Sequence, residues 1–343
     1  MTENSAVQQG GLFFQLVKRH LLVFFRNKLR MFFTLMVPFI IFVIYILFLR
    51  DLELNSVSSV LADLAEKYNA PEIKALSANA EFMKKVETLI DSWMLSGIIA
   101  ISTMTVSLQT NTMIVADRET GVNKDFVSSP INRNLLIGSY FLFNFIVTLS
   151  VCFMFLLACF IYLACMGEFC ITFVDFLSMV GILAFSSCVS VLLTIFICSF
   201  VSRDATMASI TTIFSTAIGF LIGAYMPMSM LPEFARNFCV FVPGTFSCSL
   251  LRFSFMATQL ADLTSFTNDV LQIAGGSEII NELSANFGYN MEFFGISLEP
   301  WSQAVGQLIF IAVLIIANIL AGKNVVKTVA GMGKKLKTKK GKK

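Results

Sequence analysis

The sequence predicts an all-α polytopic membrane protein with six transmembrane helices, and two observations lead to this prediction. The 343 residues are 56% hydrophobic and only 14% charged, with a mean hydropathy of +0.78. Such a composition is typical of a chain that is solvated by lipid. Six segments also have the length of about 20 mostly apolar residues that a helix needs to cross a bilayer. These segments are 31–49, 93–115, 135–165, 176–201, 205–225 and 301–322.

Lysine and arginine are distributed unevenly between the connections, and this predicts the orientation of the spans in the cytoplasmic membrane. With both termini in the cytoplasm, 18 of the 25 Lys and Arg residues lie on the cytoplasmic side, as the positive-inside rule expects. The connection 116–136 then faces the cytoplasm. So does the lysine-rich tail 323–343, which we expect to bind anionic lipid headgroups rather than nucleic acid. Residues 50–92 and 226–300 face outward.

The first 30 residues are predicted to form a polar N-terminal tail and an interfacial amphipathic helix. In the segment 12–30, LFFQLVKRHLLVFFRNKLR, arginines recur at helical spacing opposite a row of apolar side chains. Such a helix lies along a membrane surface. Its basic residues are Lys18, Arg19, Arg26 and Arg30. Two functions stay open for it: anchoring of the first span, or packing on a cytoplasmic partner as well.

The spans argue against several classes of protein. None of the six predicted segments contains Asp, Glu, Lys, Arg or His, whereas ion-coupled transporters and intramembrane enzymes usually need such groups at membrane depth. The polar residues within the spans are expected to join helices rather than to bind a substrate. They include Gln109, Asn111, Asn144, Gln307 and Asn318.

The sequence predicts no cofactor, metal site or catalytic residue on this chain. It contains no GxxxxGK[ST] motif, so any ATP and Mg²⁺ would be bound by another subunit. Its cysteines have no metal-binding spacing. Four of the eight lie towards the predicted outer side, where disulfides are possible but the pairing is open. They are Cys165, Cys170, Cys239 and Cys248.

The connection 116–136, ADRETGVNKDFVSSPINRNLL, is highly polar between two apolar spans. Gly121 permits a turn, and residues 123–127 have the composition of a short helix. Ser129 is then placed to cap a helix with Pro130 at its first position. A rigid helix at this place can transmit a rigid-body movement. The alternative is an ordinary solvated connection.

This connection resembles the coupling-helix motif of permease subunits of ABC transporters of the type 2 exporter family, in which Arg-Glu-x-Gly is followed by Pro-hydrophobic-x-Arg. The matching residues are Arg118, Glu119, Gly121, Pro130, Ile131 and Arg133. A second resemblance to the same family lies in GAYMPMSMLPEFARNFCVFVPGTFSCSLLR, after the fifth span. There the matching residues are Pro227, Leu231, Pro232, Glu233, Pro243, Leu251 and Arg252.

The outer segments suggest two further structures. Residues 226–252 are too apolar for an ordinary loop and too rich in proline for a span, which predicts re-entrant half-helices buried in protein. Residues 50–92 and 253–300 are long outer loops. In the first of them, apolar residues recur at helical spacing and Pro71 is placed to open a helix. These loops form either an outer cap or a surface that packs on a partner protomer.

The resemblance implies a dimer of six-span subunits, identical or paralogous, with two cytoplasmic ATPase subunits that bind ATP and Mg²⁺. Arg118 and Glu119 would make charged contacts with an ATPase, beside the helix 12–30. Spans without charge and rich in Phe and Met favour an amphipathic or hydrophobic cargo, such as a drug-like molecule, a lipid or a lipopeptide. A lipid-linked polysaccharide is the alternative cargo. A channel that needs no ATPase and a scaffolding protein are the alternative functions.

Overall fold

The computed structural model describes residues 2–68, 71–122, 133–166, 172–270, 276–289, 291–293 and 296–340. In chain order its helices are α1 (Thr2–Arg26), α2 (Lys28–Ile44), α3 (Arg50–Lys67), α4 (Pro71–Leu76), α5 (Ala80–Glu119), α6 (Arg133–Met166), α7 (Phe173–Phe200), α8 (Asp204–Leu221), α9 (Glu233–Cys239), α10 (Pro243–Ser265), α11 (Gly276–Asn286) and α12 (Pro300–Lys340). π-helical turns cover Tyr45–Leu49 and Phe266–Val270, and a 3₁₀ turn covers Met228–Met230. Two short strands, β1 (Met291–Phe293) and β2 (Ile296–Leu298), form an antiparallel hairpin that the sequence did not predict.

The six predicted spans are confirmed, and the chain is an all-α polytopic membrane protein. Within the described residues, six helices are long and apolar enough to cross a bilayer. They are Lys28–Lys67, Ala80–Glu119, Asn134–Met166, Phe173–Ser199, Asp204–Leu221 and Pro300–Ala321.

Helix α5 forms the centre of the bundle. It packs against α2, α6, α7, α8 and α10, and its most apolar window is wholly buried. Its 40 residues give a length of about 60 Å, roughly twice the thickness of a hydrocarbon core. The helix therefore projects well beyond the membrane, and its two ends bring polar clusters together.

The helix of the first span continues beyond residue 49, where the predicted membrane segment ends. It does not end with the apolar run because residues 45–67 contain neither Gly nor Pro, so nothing in the chain stops the helix. A π-helical turn at Tyr45–Leu49 accommodates one extra residue, and α3 then extends the same rod to Lys67.

The predicted amphipathic helix 12–30 is divided into two helices. α1 ends at Arg26, and Asn27 begins the next helix as its N-cap, because its side-chain oxygen accepts a hydrogen bond of 3.1 Å from the backbone N–H of Arg30. Arg30 therefore belongs to the first turn of α2 and not to the interfacial helix.

The segments 50–92 and 253–300, which the sequence predicts to be outer loops, pack together as a cap made by α3, α4, the start of α5, the end of α10 and α11. This packing within the chain is what the first alternative, a cap, expects, and packing on a partner protomer stays a prediction. Residues 253–265 are not a loop, because they continue helix α10. The helical spacing of apolar residues predicted seven core residues of this cap, and all seven are buried. They are Leu61, Leu64, Ile73, Leu76, Phe82, Val86 and Leu89. Ion pairs also cross the cap, from Lys85 to Asp262 at 2.6 Å and from Lys67 to Glu282.

Helix α8 is shorter than the predicted span 205–225 because it ends in a Schellman motif. The N–H of Ala224 donates to the carbonyl of Gly219 at 2.8 Å, and that of Gly223 donates to Phe220 at 3.1 Å. Gly223 has a φ of 66°, which glycine adopts without a steric cost. The break lies against α5, where a Cβ on Gly97 would come within 3.1 Å of Ala224.

Candidate functional site

Three consecutive charged residues end helix α5 and contact different neighbours. They are Asp117, Arg118 and Glu119. Successive residues on an α-helix are separated by about 100° around its axis, so three in a row cannot share one partner helix. We name this group the α5 terminus. It includes two of the residues that the coupling motif predicted.

Asp117 joins the N-terminal helix and α6 to α5. Arg19 of α1 donates from Nη1 to Oδ2 at 3.0 Å and from Nη2 to Oδ1 at 3.3 Å. The hydroxyl of Tyr140 on α6 donates to Oδ2 at 2.6 Å. The Asp117 side chain is buried, so these bonds replace the water that a carboxylate otherwise needs.

His20 lies beside this ion pair rather than at a lipid surface. It is fully buried, stacks on the ring of Tyr140 with centroids 4.1 Å apart, and its Nε2 lies 3.2 Å from the hydroxyl of Ser139. Burial, and then the positive charge of Arg19, lower the pKa of His20 to about 4, although Asp117 opposes this shift. The imidazole is therefore neutral at physiological pH.

Arg118 caps the C-terminal end of α7. Its Nη1 donates to the carbonyl of Cys198 at 2.9 Å and also to the carbonyl of Val201. The last carbonyls of a helix have no partner within the helix, so a cation at this place satisfies them and interacts favourably with the helix dipole. The guanidinium therefore holds the end of α7 against α5.

Glu119 caps the N-terminal end of α8. Its Oε2 accepts a hydrogen bond of 2.7 Å from the backbone N–H of Asp204, and Arg203, the N-cap residue, makes no side-chain cap of its own. An anion at a helix N-terminus is favourable. Arg118 and Glu119 thus hold both sides of the short connection between α7 and α8.

Of the remaining residues of the predicted coupling motif, the structure describes only the two at its ends, Gly121 and Arg133. Gly121 has a φ of 85°, consistent with the predicted turn. Arg133 is the first residue of α6. Pro130 and Ile131, the predicted helix 123–127 and its neighbour Ser129 lie outside the described residues.

The second predicted segment forms two helices joined at a sharp bend. Pro232 is the N-cap of α9 and Glu233 its first residue, while Pro243 is the first residue of α10. The two helices are bent by 93°. Pro227 precedes the 3₁₀ turn, and no N–H is needed at any of these three prolines.

Of the two charged residues predicted in this segment, Glu233 is exposed, whereas Arg252 lies deep in the protein. It is 2% exposed, its guanidinium lies 4.7 Å from the centroid of the Trp93 ring, and its Nη2 donates to the carbonyl of Gly223. It therefore joins α10 to α5 and to the break after α8.

A second buried carboxylate, Asp91, was missed because it lies two residues before the predicted span 93–115. Its Oδ1 accepts from the hydroxyl of Tyr45 at 2.6 Å and from Nε of Arg50 at 3.1 Å. Its Oδ2 accepts from the hydroxyl of Tyr162 at 3.3 Å, and Arg50 also pairs with Glu87 at 2.8 Å. The π turn in the first span places Tyr45 and Arg50 on the same carboxylate.

Four of the five polar residues predicted to join helices do so, whereas the side chain of Gln109 makes no hydrogen bond to another helix among the described residues. Asn111 donates to Thr194 Oγ1 at 2.6 Å, and Asn144 donates to the carbonyl of Ser107 at 3.0 Å. Gln307 donates to Ser247 at 2.9 Å. Asn318 likewise donates to the carbonyl of Leu192 at 2.9 Å. Interhelical hydrogen bonds of this kind stabilise helix pairs in lipid.

The cysteines that the sequence predicts on the outer side are not paired in the part of the chain that the structure describes. Cys165 is exposed, Cys239 and Cys248 are buried, and all three are free thiols. Cys170 lies outside the described residues.

A family model described as ABC-2 type transporter matches residues 11–256. The match runs from α1 into α10, so it includes the α5 terminus and the bent pair α9–α10. No curated protein matches the chain.

Proposed function

Because this chain belongs to the ABC-2 type transporter family, we propose that it exports an amphipathic or hydrophobic substrate across the cytoplasmic membrane, with energy from a separate ATPase subunit. Permeases of this family are transport components that work with such a subunit. Two copies of the ATPase would bind two copies of the permease, or one copy together with a paralogous permease. ATP and Mg²⁺ would be held by the ATPase.

The observation that supports this proposal most directly is the convergence of four helices on the α5 terminus. Asp117 contacts α1 and α6, Arg118 contacts the end of α7, and Glu119 contacts the start of α8. A push on the connection 116–136 would therefore reach most of the bundle. Coupling through packed rigid elements needs such a junction.

The roles of the two motif residues follow from their partners. Arg118 faces α7 and donates to two backbone carbonyls there. We propose that its role is to hold the helices of the junction in position. Glu119 is exposed and engages the start of α8 with one oxygen. We propose that Glu119 and the polar residues that follow it form the contact with the ATPase, and that α1 packs beside it.

The choice of cargo is supported by how the chain uses its polar groups. Several polar side chains within the spans pair helices, as the bonds of Asn111, Asn144 and Gln307 illustrate. The lipid-facing surface is rich in large apolar side chains. A path formed between such subunits suits an apolar or amphipathic molecule better than a hydrated ion.

Co-expression tests the proposal. The chain, tagged at one terminus, would be co-expressed with ABC ATPase subunits of the same organism, purified and reconstituted in lipid vesicles. We expect co-purification, and ATP turnover that amphipathic molecules stimulate. An ATPase variant unable to hydrolyse ATP is the matched control. Ion flux through the chain alone, with no bound ATPase, would contradict the proposal and support a channel.

A further inference from the structure

A cavity of about 330 Å³ lies between the break after α8, the start of α10 and the hairpin that follows α11. It lies at the end of the bundle opposite the α5 terminus. Its described lining consists of Ile222, Met228, Arg236, Val240, Thr245, Ser249, Arg252, Ala285, Asn286, Gly288, Met291 and Ser297. Neither the family match nor the coupling geometry gives this cavity a function.

The cavity runs from an exposed rim to a buried cation. Asn286 and Ser297 are exposed at its mouth, whereas Ser249 and Arg252 are 5% and 2% exposed at its inner end. Apolar side chains form part of the wall, among them Ile222 and Met228. The shape suits a molecule with a charged group at one end and apolar parts beside it.

The inner end offers hydrogen-bond donors that no described residue uses. The Nε of Arg252 and the hydroxyl of Ser249 are buried and lack a hydrogen-bond partner among the residues that the structure describes. A buried guanidinium without a counter-ion is costly, and so is a buried hydroxyl without a partner. Both groups are therefore available to a ligand that accepts hydrogen bonds.

The charge of the lining indicates that the ligand is an anion. Two of the described lining residues are arginines, Arg252 inside and half-buried Arg236 nearer the mouth, and none of the described lining residues is acidic. Thr245, in the first turn of α10, also borders the cavity, so the positive end of the helix dipole adds to the field.

The nearest competing explanation is Glu53 of α3, which attracts Arg252 electrostatically. Among the described residues, however, the two side chains form no ion pair within 4.0 Å, and the Oε2 of Glu53 is itself buried without a partner. Glu53 is also not part of the described lining. A variant of Glu53 without the charge therefore distinguishes two explanations for the buried Arg252, an internal ion pair and a ligand site.

We propose that this cavity binds a phosphate group, held by the guanidinium of Arg252 with Ser249 and Arg236. Planar guanidinium groups and phosphate oxygens match in geometry and charge. The phosphate belongs either to a lipid headgroup that enters from the membrane or to a small soluble phosphate ester. The site does not depend on an ATPase, so its failure and the failure of the transport proposal are distinguishable.

The test measures binding to the purified full chain in nonionic detergent by native mass spectrometry. Three probes separate the sources of the phosphate: phosphatidylglycerol, diacylglycerol without a phosphate, and glycerol 3-phosphate without acyl chains. We expect one phosphatidylglycerol per chain and a loss of affinity of at least about tenfold in Arg252→Gln. Arg203→Gln, which removes an exposed arginine at the other end of the bundle, is the matched control.

A second variant keeps the test valid if Arg252→Gln does not fold. Ser249→Leu keeps the buried cation but fills the cavity, and we expect it to abolish binding. Glu53→Gln should leave binding intact or strengthen it. Binding of glycerol 3-phosphate with equal affinity would assign the site to soluble phosphate esters. Two results would overturn the proposal. In the first, the parent chain, Arg203→Gln and Ser249→Leu all bind the three probes equally well. In the second, no probe binds.

Discussion

Arg19 of α1 and Asp117 at the end of α5 form a two-bond ion pair, with Nη1–Oδ2 and Nη2–Oδ1 distances of 3.0 and 3.3 Å. The pair joins the N-terminal helix directly to the start of the connection 116–136. It stands next to Arg118, so a displacement of α1 and a displacement of that connection are mechanically linked.

Replacement of Asp117 with Leu is expected to detach α1 from the bundle. The substitution leaves Arg19 and the Tyr140 hydroxyl without their shared acceptor, so the free energy of unfolding should fall by about 2 to 4 kcal/mol. Thermal unfolding in detergent and protease cleavage within α1 report this change. Lys18→Gln, which removes an exposed charge from the same helix, should have little effect. Equal effects of the two substitutions would show that the ion pair does not hold the helix.

Acid is expected to weaken the packing of α1 through His20. Its pKa is lowered to about 4 in the folded chain from an ordinary value of 6.5, so the unfolded chain binds the proton more tightly. The stabilisation is complete above pH 6.5 and is lost as the pH falls towards 4, by about 3 kcal/mol in total. The groups that face His20 are Arg19, Asp117, Tyr140 and Ser139.

Unfolding midpoints measured between pH 7.5 and pH 4.5 test this expectation. His20→Gln keeps a polar side chain but cannot take up the proton, so its midpoint should change less over this range. Parallel curves for the parent chain and the variant would show that His20 is not the group responsible.

The two tyrosines that donate to Asp91 are expected to differ in how much each contributes to the free energy of unfolding. Tyr45 is buried and donates at 2.6 Å, whereas Tyr162 is half-buried and donates at 3.3 Å to the other oxygen. Tyr45→Phe should therefore lower the free energy of unfolding by about 1.5 to 3 kcal/mol, and Tyr162→Phe by less than 1 kcal/mol. Thermal unfolding of the two variants side by side tests this order, and the reverse order would contradict it.

The orientation of the spans is testable at Cys165. This thiol is exposed near the end of α6, which the charge distribution places outside, whereas Cys152 and Cys159 in the same helix are buried. In a Cys170→Ser background, a membrane-impermeant maleimide added to intact cells should label the protein. Cys165→Ser should abolish this labelling. Labelling only after the membrane is opened would reverse the predicted orientation.

The fold was predictable from the sequence wherever a segment shows one clear pattern, either an apolar run or apolar residues at helical spacing. Runs of apolar residues located all six spans, and helical spacing identified the buried residues of the cap, such as Leu61 and Phe82. The continuation of the first span beyond Leu49 was not predictable in this way. A polar sequence such as RDLELNSVSS is compatible with both a helix and a loop, and only packing on α11 and α5 decides between them.

The site was predictable in its residues but not in its contacts. The motif located Arg118, Glu119 and Gly121, but the partners of Arg118 and Glu119, at Cys198, Val201 and Asp204, lie about 80 residues away and have no local signal. Asp91 was missed because it stands just outside an apolar window. Its burial depends on Tyr45, Arg50 and Tyr162 from two other helices.

The most direct test of the central claim is the ATP turnover of the reconstituted permease–ATPase complex in which Glu119 is replaced. Glu119→Lys places a cation at the N-terminus of α8 and removes the acceptor for Asp204, so we expect the complex to form but turnover stimulated by cargo to be lost. Glu119→Gln keeps a side-chain acceptor and should retain most of the stimulation. Unchanged stimulated turnover in Glu119→Lys would contradict the claim that the end of α5 couples the ATPase to the membrane helices.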